Sequence, residues 1–299
     1  MDSRAELYAA QVQQLINGAK QLTPESEAAI LTLLSRADAE ILGRIAQLNP
    51  KSYTSVQLTQ LRAQIDQAMS QFQKAATTKV GELQERAAKL ATRDISATVG
   101  AALGQQVSLG AVNMQTVKIA QGYSADLISG LSADAAAKIK GAVQRAFLGG
   151  QGLPEIVAQV GRALDNGKFS GIFDDLGARA ARIAMNEVLR IHSISGQARL
   201  YELAKSNRAI KKQWLHIPAA RVPRLGHILA SGQVVDVDEP FIVEGEELMF
   251  PRDPSGSPEN TIFCHCASVP NVADDQLTAS ADDRAVLASV GLKVGSRAT

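Results

Sequence analysis

From Leu58 to Leu90 an apolar residue returns at every third or fourth position: Leu58, Leu61, Ile65, Met69, Phe72, Ala76, Val80, Leu83, Ala87 and Leu90. Such steps follow the turn of an α-helix and put these side chains on one stripe. The spacing predicts a single helix over 55–92, roughly 50 Å long at about 1.5 Å per residue, with Ser55 as its cap. A long helix with one narrow apolar stripe buries it against other helices, in a bundle or coiled coil. A partner precedes it: Ile30, Leu34, Ala37, Ile41 and Ile45 keep the same rhythm. Thr23-Pro24-Glu25 suits the start of that helix, since proline is tolerated in a first turn. Asn49-Pro50 ends it, because proline lacks the donor and restricts its predecessor. Helices over 24–48 and 55–92 are expected to pack as an antiparallel hairpin.

Weaker helical signals follow at 111–130 and 132–148, with Ser132-Ala133-Asp134 as an acceptable cap. Gly149-Gly150-Gln151-Gly152 is the clearest break in the chain. It divides a helical region, 1–150, from a second region, 151–272, and a polar tail, 273–299. In the second region Leu153 opens a short helix to about Leu164, and Asp174 starts a long one to about Ser206. Leu176, Ala180, Ile183, Ala184, Val188, Ile191, Ile194, Ala198 and Leu200 form its apolar face; Gln197, Arg199 and Glu202 face elsewhere. After Asn207 the texture changes. Ile210–Ile217 reads as a strand with Lys212, Trp214 and His216 on one face. Strands are also expected at 233–236 and 264–269, and a short helix near 281–290. The expected class is α+β: a long-helix N-terminal half, then a small α+β domain with a short antiparallel sheet.

The formal charge is +1, so only a local patch could bind a polyanion. Residues 207–228 hold Arg208, Lys211, Lys212, Arg221 and Arg224 and no acid. Lys211, Lys212, Arg221 and Arg224 are candidates for phosphate contact. Asp236, Asp238, Glu239, Glu244, Glu246, Glu247, Asp253 and Glu259 follow, and the two stretches can instead neutralise each other. No apolar run approaches a membrane span, so no membrane partner is expected. Met1–Glu6 lacks a leader pattern, and two cysteines fit a protein made in the cytoplasm. There is no glycine-rich phosphate loop and no nucleophile elbow, so no enzyme is expected.

Both cysteines lie in Phe263-Cys264-His265-Cys266, and three of the four histidines fall in the same C-terminal third. Cysteines this close cannot readily close on each other, because the small ring is strained. They are free thiols or co-ligands. Cys264, Cys266 and His227, with His216, His265 or a carboxylate as the fourth group, suit a tetrahedral zinc site. The alternative is a pair of small buried thiols packing a sheet. Trp214, the one tryptophan, suits a core position better than a ligand platform.

Several of these residues belong to an ordered pattern. Gly152-Leu153-Pro154-Glu155-Ile156 opens a helix, and Ala181-Arg182-Ile183-Ala184-Met185-Asn186-Glu187-Val188 lies on the next one. Then come Lys212-Gln213-Trp214, Arg221-Val222-Pro223-Arg224-Leu225-Gly226-His227, Gly232, Pro251-Arg252-Asp253-Pro254 and Cys264-His265-Cys266. In this order, over about 150–270, the chain resembles the Mu F-like minor head proteins of tailed bacteriophages, the head-morphogenesis family. Arg182, Glu187 and Trp214 are structural positions of that pattern. Two places depart from it. An acidic residue usual after the tryptophan is missing from Leu215–Ala220, where His216 is a candidate substitute. The family's Arg-Thr-Glu is Met185-Asn186-Glu187 here.

The resemblance implies a virion component made in the host cytoplasm and present in few copies. It implies a place at the portal vertex and inside the head, in head morphogenesis and DNA packaging or delivery. Its implied partners are the portal protein, the major capsid protein and viral double-stranded DNA, and it implies no catalysis. The first 150 residues lie outside the motifs; their amphipathic helices suit docking in a groove of portal or capsid. A reading of another class is a DNA-binding or DNA-modifying module whose Cys/His cluster is a catalytic metal site. That chemistry needs an open coordination position.

Overall fold

The computed structural model describes residues 3–48, 54–164, 168–218, 223–272 and 280–293. Helices come first: α1 (Arg4–Ala46), α2 (Ser55–Leu103), α3 (Met114–Leu148), α4 (Leu153–Val160) and α5 (Gly171–Ser206). Then follow β1 (Ile210–Leu215), α6 (Leu225–Leu229), β2 (Val234–Asp236), β3 (Phe241–Val243), β4 (Glu246–Leu248), α7 (Pro258–Thr261), β5 (Ala267–Val272) and α8 (Ala281–Ser289). The class is α+β, with long helices leading and short antiparallel sheets behind them.

The helices run longer than their signals predict. α1 passes straight through Pro24, because the apolar stripe continues upstream in buried Tyr8, Val12, Leu15, Ile16, Ala19 and Leu22. That burial offsets an interior proline, which costs about 3 kcal/mol. α2 extends to Leu103 on buried Ala88, Ala91, Ile95, Val99 and Ala102. α3 is one helix, and Ser132 lies buried within it rather than capping a second. α4 stops at Val160, ahead of the expected end.

Two compact units divide the chain: Met1–Thr23, Gln84–Val117 and Asn186–Thr299 form one, Pro24–Leu83 and Lys118–Met185 the other. The division runs through α1, α2, α3 and α5. The Gly149–Gly152 break lies elsewhere, where α3 gives way to α4.

In the second unit α2 and α3 run antiparallel, with Gln121 donating to the Gly81 carbonyl at 3.0 Å and Lys140 meeting Asp66 at 2.5 Å. α3 and α5 do the same through Asp134–Arg179 at 2.6 Å and Lys138–Asp175 at 3.6 Å. These surface pairs contribute little, about 0–1 kcal/mol each. Burial of Ile30, Leu34, Ile65, Phe72, Val143 and Phe173 contributes far more.

In the first unit the antiparallel course of α1 and α2 is fixed by Arg4 on the Ala102 carbonyl, at 2.6 and 2.8 Å, and by Gln14 on Asp94 at 3.4 Å. One core joins these helices to the sheet: Tyr8, Val12 and Leu15 share it with Val99, Leu200, Ile210, Leu215, Val269 and Leu287. The sheet order is β2-β1-β5, all antiparallel. β5 begins three residues after the expected strand start and carries Pro270 at a sheet edge, where a missing donor is tolerated. The β3–β4 hairpin has no counterpart among the expected strands. Its turn, Glu244-Gly245, takes positive φ at both residues, 50° and 83°, as a two-residue hairpin turn requires.

Tyr8 is buried, and its hydroxyl donates to the Pro270 carbonyl at 2.7 Å, tying α1 to β5. Burial also raises its pKa above the ordinary tyrosine value, so it stays neutral. Tyr8→Phe is expected to lower the unfolding free energy by about 1 kcal/mol, read from urea titration.

Candidate metal centre

Three short segments of the first unit converge beside Trp214. β1 delivers His216 just past its last residue. α6 has a single turn and turns His227 inward, while Leu225, Ile228 and Leu229 face out. The third segment is the extended stretch Cys264–Cys266, between α7 and β5. Both thiols reach the cluster with His227, and His265 lies outside it. Trp214 is fully buried, edge-on to Phe241 at 5.4 Å and to His227 at 5.8 Å. With Phe241, Val243 and Leu248 it makes an apolar wall that also contains both cysteines. Trp214 is therefore a core residue.

The ligand atoms of His227, Cys264 and Cys266 all lie within 4.8 Å of one another, and the three residues are buried. His227 Nδ1 is 3.6 Å from Cys264 Sγ and 3.4 Å from Cys266 Sγ. A tetrahedral zinc with Zn–S of about 2.3 Å and Zn–N of about 2.0–2.1 Å separates sulfur from nitrogen by about 3.6 Å. Both thiol–imidazole separations match that edge to about 0.2 Å. His227 Nε2 is 3.3 Å from Asn260 Oδ1. The amide oxygen can only accept, so Nε2 carries the hydrogen and the Nδ1 lone pair faces the thiols. Asn260 is buried and also bonds Glu246, whose carboxylate is held below its usual range by Ser257 first and then Asn260.

Arg252 supplies the field. Its buried guanidinium donates to the Cys264 carbonyl and to Ser193 Oγ, each at 2.6 Å. Cys264 is held well below the usual thiol range, by the Cys266 contact first and then by His227 and Arg252, against the effect of burial. Cys266 moves up, through its bond to Cys264 and then its burial. The two thiols are thus driven apart, Cys264 toward the thiolate and Cys266 toward the protonated form. Burial opposes charge on His227, but the Cys264 thiolate and Asn260 outweigh it and raise its pKa. His192, beneath Arg252, is pushed down to about 3 by burial and then by the guanidinium, and stays neutral. A low-pKa thiolate, an imidazole with a fixed lone pair and a second thiol form a donor set for a thiophilic divalent cation.

The described basic candidates are each engaged within the fold. Lys212 is fully buried, 2.7 Å from the Met249 carbonyl and 4.9 Å from the Phe241 ring centroid. Its β1 position turns it into the core, which removes it as a phosphate contact. Lys211 pairs with Asp236 at 2.8 Å, the neutralisation that the acidic stretch offered. Arg224 donates to the Ile262 carbonyl at 2.5 Å. Arg221 lies outside the described residues. Glu187 is buried on α5 with Arg190 at 2.7 and 2.9 Å; burial raises its pKa and Arg190 opposes the rise. Arg182 is exposed on the same helix.

One set of site residues escapes the sequence pattern. Asn186 accepts from the Phe263 amide at 3.1 Å, Ser193 accepts from Arg252, and Gln197 donates to the Val237 carbonyl at 2.7 Å. They follow helical spacing on α5, but a polar stripe reads as solvent-facing unless its partners are known. Arg199 is likewise buried, on Ser96 Oγ at 2.8 Å and on the Ser108 carbonyl.

The chain is similar to a Bacillus subtilis (strain 168) protein named "Uncharacterized protein YqbB", 37% identical over 109 residues. The match covers 36% of this chain, which thereby spans about a third, 35%, of that protein. No protein-family model and no solved structure matches the chain.

Lys212 gives a pH signature. Burial lowers its pKa to about 8 from an ordinary 10.5, against the pull of Asp253, Asp238 and Glu239. Between those values the unfolded chain binds the extra proton, so stability rises with pH across the window. Below it both states are protonated and the cost of burying the charge is complete. Lys212→Met should remove this dependence. Its unfolding free energy relative to wild type should then shift by about 1.4 kcal/mol per pH unit within the window, read by urea titration.

Proposed function

We propose that this chain is a structural minor head protein of a tailed bacteriophage. It sits at the portal vertex and the inner face of the capsid. It acts in head morphogenesis and in DNA packaging or delivery, without catalysis. One observation carries the reading: five residues from the later part of the ordered motif pattern meet in space. Trp214, His227, Arg252, Cys264 and Cys266 are spread over some fifty positions, and they form one buried cluster. A motif whose members brace one another is the mark of a shared fold element rather than a chance series. The long helices α1 and α2, their apolar stripes covered within the fold, offer their outer polar faces for attachment to portal or capsid subunits. Direct DNA contact draws less support, because Lys212 is buried and Lys211 is paired. Among the described residues no helix is long and apolar enough to cross a membrane.

The test is attachment. The purified chain, mixed with portal rings of a tailed phage that carries its gene, should co-sediment with them. Failure of the full chain to pellet with the rings or with assembled heads overturns the reading.

Zinc is the proposed occupant of the His227, Cys264 and Cys266 cluster. Bound there it supplies a fixed positive centre that neutralises thiolate charge and clamps three chain segments. Metal analysis of the purified protein should find zinc near one equivalent. Cys264→Ser should lose it and melt earlier, by about 2–4 °C for each kcal/mol lost. Retention of zinc by that variant would count against the cluster.

A further inference from the structure

Resting on the zinc reading, we infer that His216 is the fourth ligand, through Nδ1, and that the centre is a closed Cys2His2 clasp. The sheet register leads there. β1 and β5 pair Trp214 with Ser268 and Leu215 with Ala267. Carried one step further, the register sets His216 opposite Cys266. Side chains directly opposite on antiparallel strands lie on the same face. His216 Nδ1 is 3.8 Å from Cys266 Sγ, close to the sulfur–nitrogen edge of a tetrahedral zinc site, but it lies outside the set of His227, Cys264 and Cys266 atoms that are all within 4.8 Å of one another, so metal binding draws its imidazole inward to close the shell. The backbone holds the residue there, since the His216 amide donates to Ser231 Oγ at 3.0 Å.

Competing ligands are engaged or turned away. Asp253 accepts from the Met249 amide at 2.8 Å and from Ser255 at 2.9 and 2.7 Å. Glu246 accepts from the Ser257 amide at 2.9 Å. His265 lies outside the ligand cluster, and among the described residues no hydrogen bond joins its ring to either sulfur. Charge agrees as well. Two thiolates balance a divalent cation, and two neutral imidazoles complete the shell without adding charge beside buried Arg252. A closed shell leaves no position for an activated water, so the centre joins the end of β1, α6 and the stretch before β5 and performs no hydrolysis. His216 thereby fills the place where the family pattern has an acid.

Cobalt(II) titration of the full-length chain tests this. Wild type should give the intense visible d–d band of four-coordinate cobalt, with a sulfur-to-cobalt charge-transfer band. His216→Ala should keep the charge transfer, lose d–d intensity as water enters, and bind about 10–100-fold more weakly. Added imidazole should restore the band. His216→Cys should add charge-transfer intensity, a gain that misfolding cannot produce. His265→Ala should keep the wild-type spectrum. If His216→Ala keeps both spectrum and affinity, or His216→Cys adds no charge transfer, His216 is not a ligand, although the three-residue centre stands. If the wild-type chain binds no cobalt and no zinc, the metal reading fails together with this inference, and the portal assignment is judged by sedimentation alone.

Discussion

The guanidinium of Arg252 is a full charge inside the first compact unit, and the C-terminal architecture is arranged around keeping it there. Removing such a group from water costs several kcal/mol unless hydrogen bonds and countercharge replace the water. Ser193 on α5 and the Cys264 carbonyl provide the bonds, and the Cys264 thiolate provides the countercharge. Each requirement positions something else. Ser193 brings the long helix against the loops, and the carbonyl bond draws the Cys264–Cys266 stretch inward. The same charge adds to the Cys266 and His227 contacts that lower the Cys264 pKa. Arg252 also takes left-handed backbone at φ 69°, as does Phe263 at φ 58°. That conformation costs about 1–2 kcal/mol in a non-glycine residue. The Asn186 bond to the Phe263 amide helps to hold the second of these.

β1 connects this charged interior with the rest of its unit. It is the central strand, paired on both sides, and its residues divide their work. Ile210 and Leu215 join the core shared with α1 and α2, whereas Trp214 walls the metal cluster. Gln213 donates to the Gly291 carbonyl at 2.7 Å and accepts from Asn271 at 2.9 Å, so the segment after α8 is bound in too. A central strand is buried on both faces, which is why even Lys212 is drawn inside and must use a carbonyl and an aromatic face as partners.

The helical class was legible because it is written locally. Leu58 to Leu90 keep one period, and any chain with that period becomes an amphipathic helix. The ends were not legible: Pro24 and Ser132 carry strong local signals that tertiary burial overrides. The candidate ligands were legible as residue types, since two cysteines and a histidine concentrated in one region are rare. Their supporting residues were not. Asn260, Ser193 and Asn186 are ordinary polar side chains in sequence, and only partners far along the chain make them part of the site. The β3–β4 hairpin hid behind Glu244, Glu246 and Glu247, whose charge masks the alternation of Phe241, Val243 and Leu248.

Sequence alone determined the division of labour: a helical first half, a short-stranded end, and a His227, Cys264 and Cys266 donor set with nothing equivalent elsewhere in the chain. Periodicity and composition decide those because they act over a few residues at a time. Tertiary structure alone decided which charges are buried, so that Lys212 became a core residue and Lys211 an ion-pair partner. It also decided that His216 stands beside Cys266 and His265 does not. Strand register sets that choice, and register depends on pairing between segments some fifty residues apart, which no local pattern encodes.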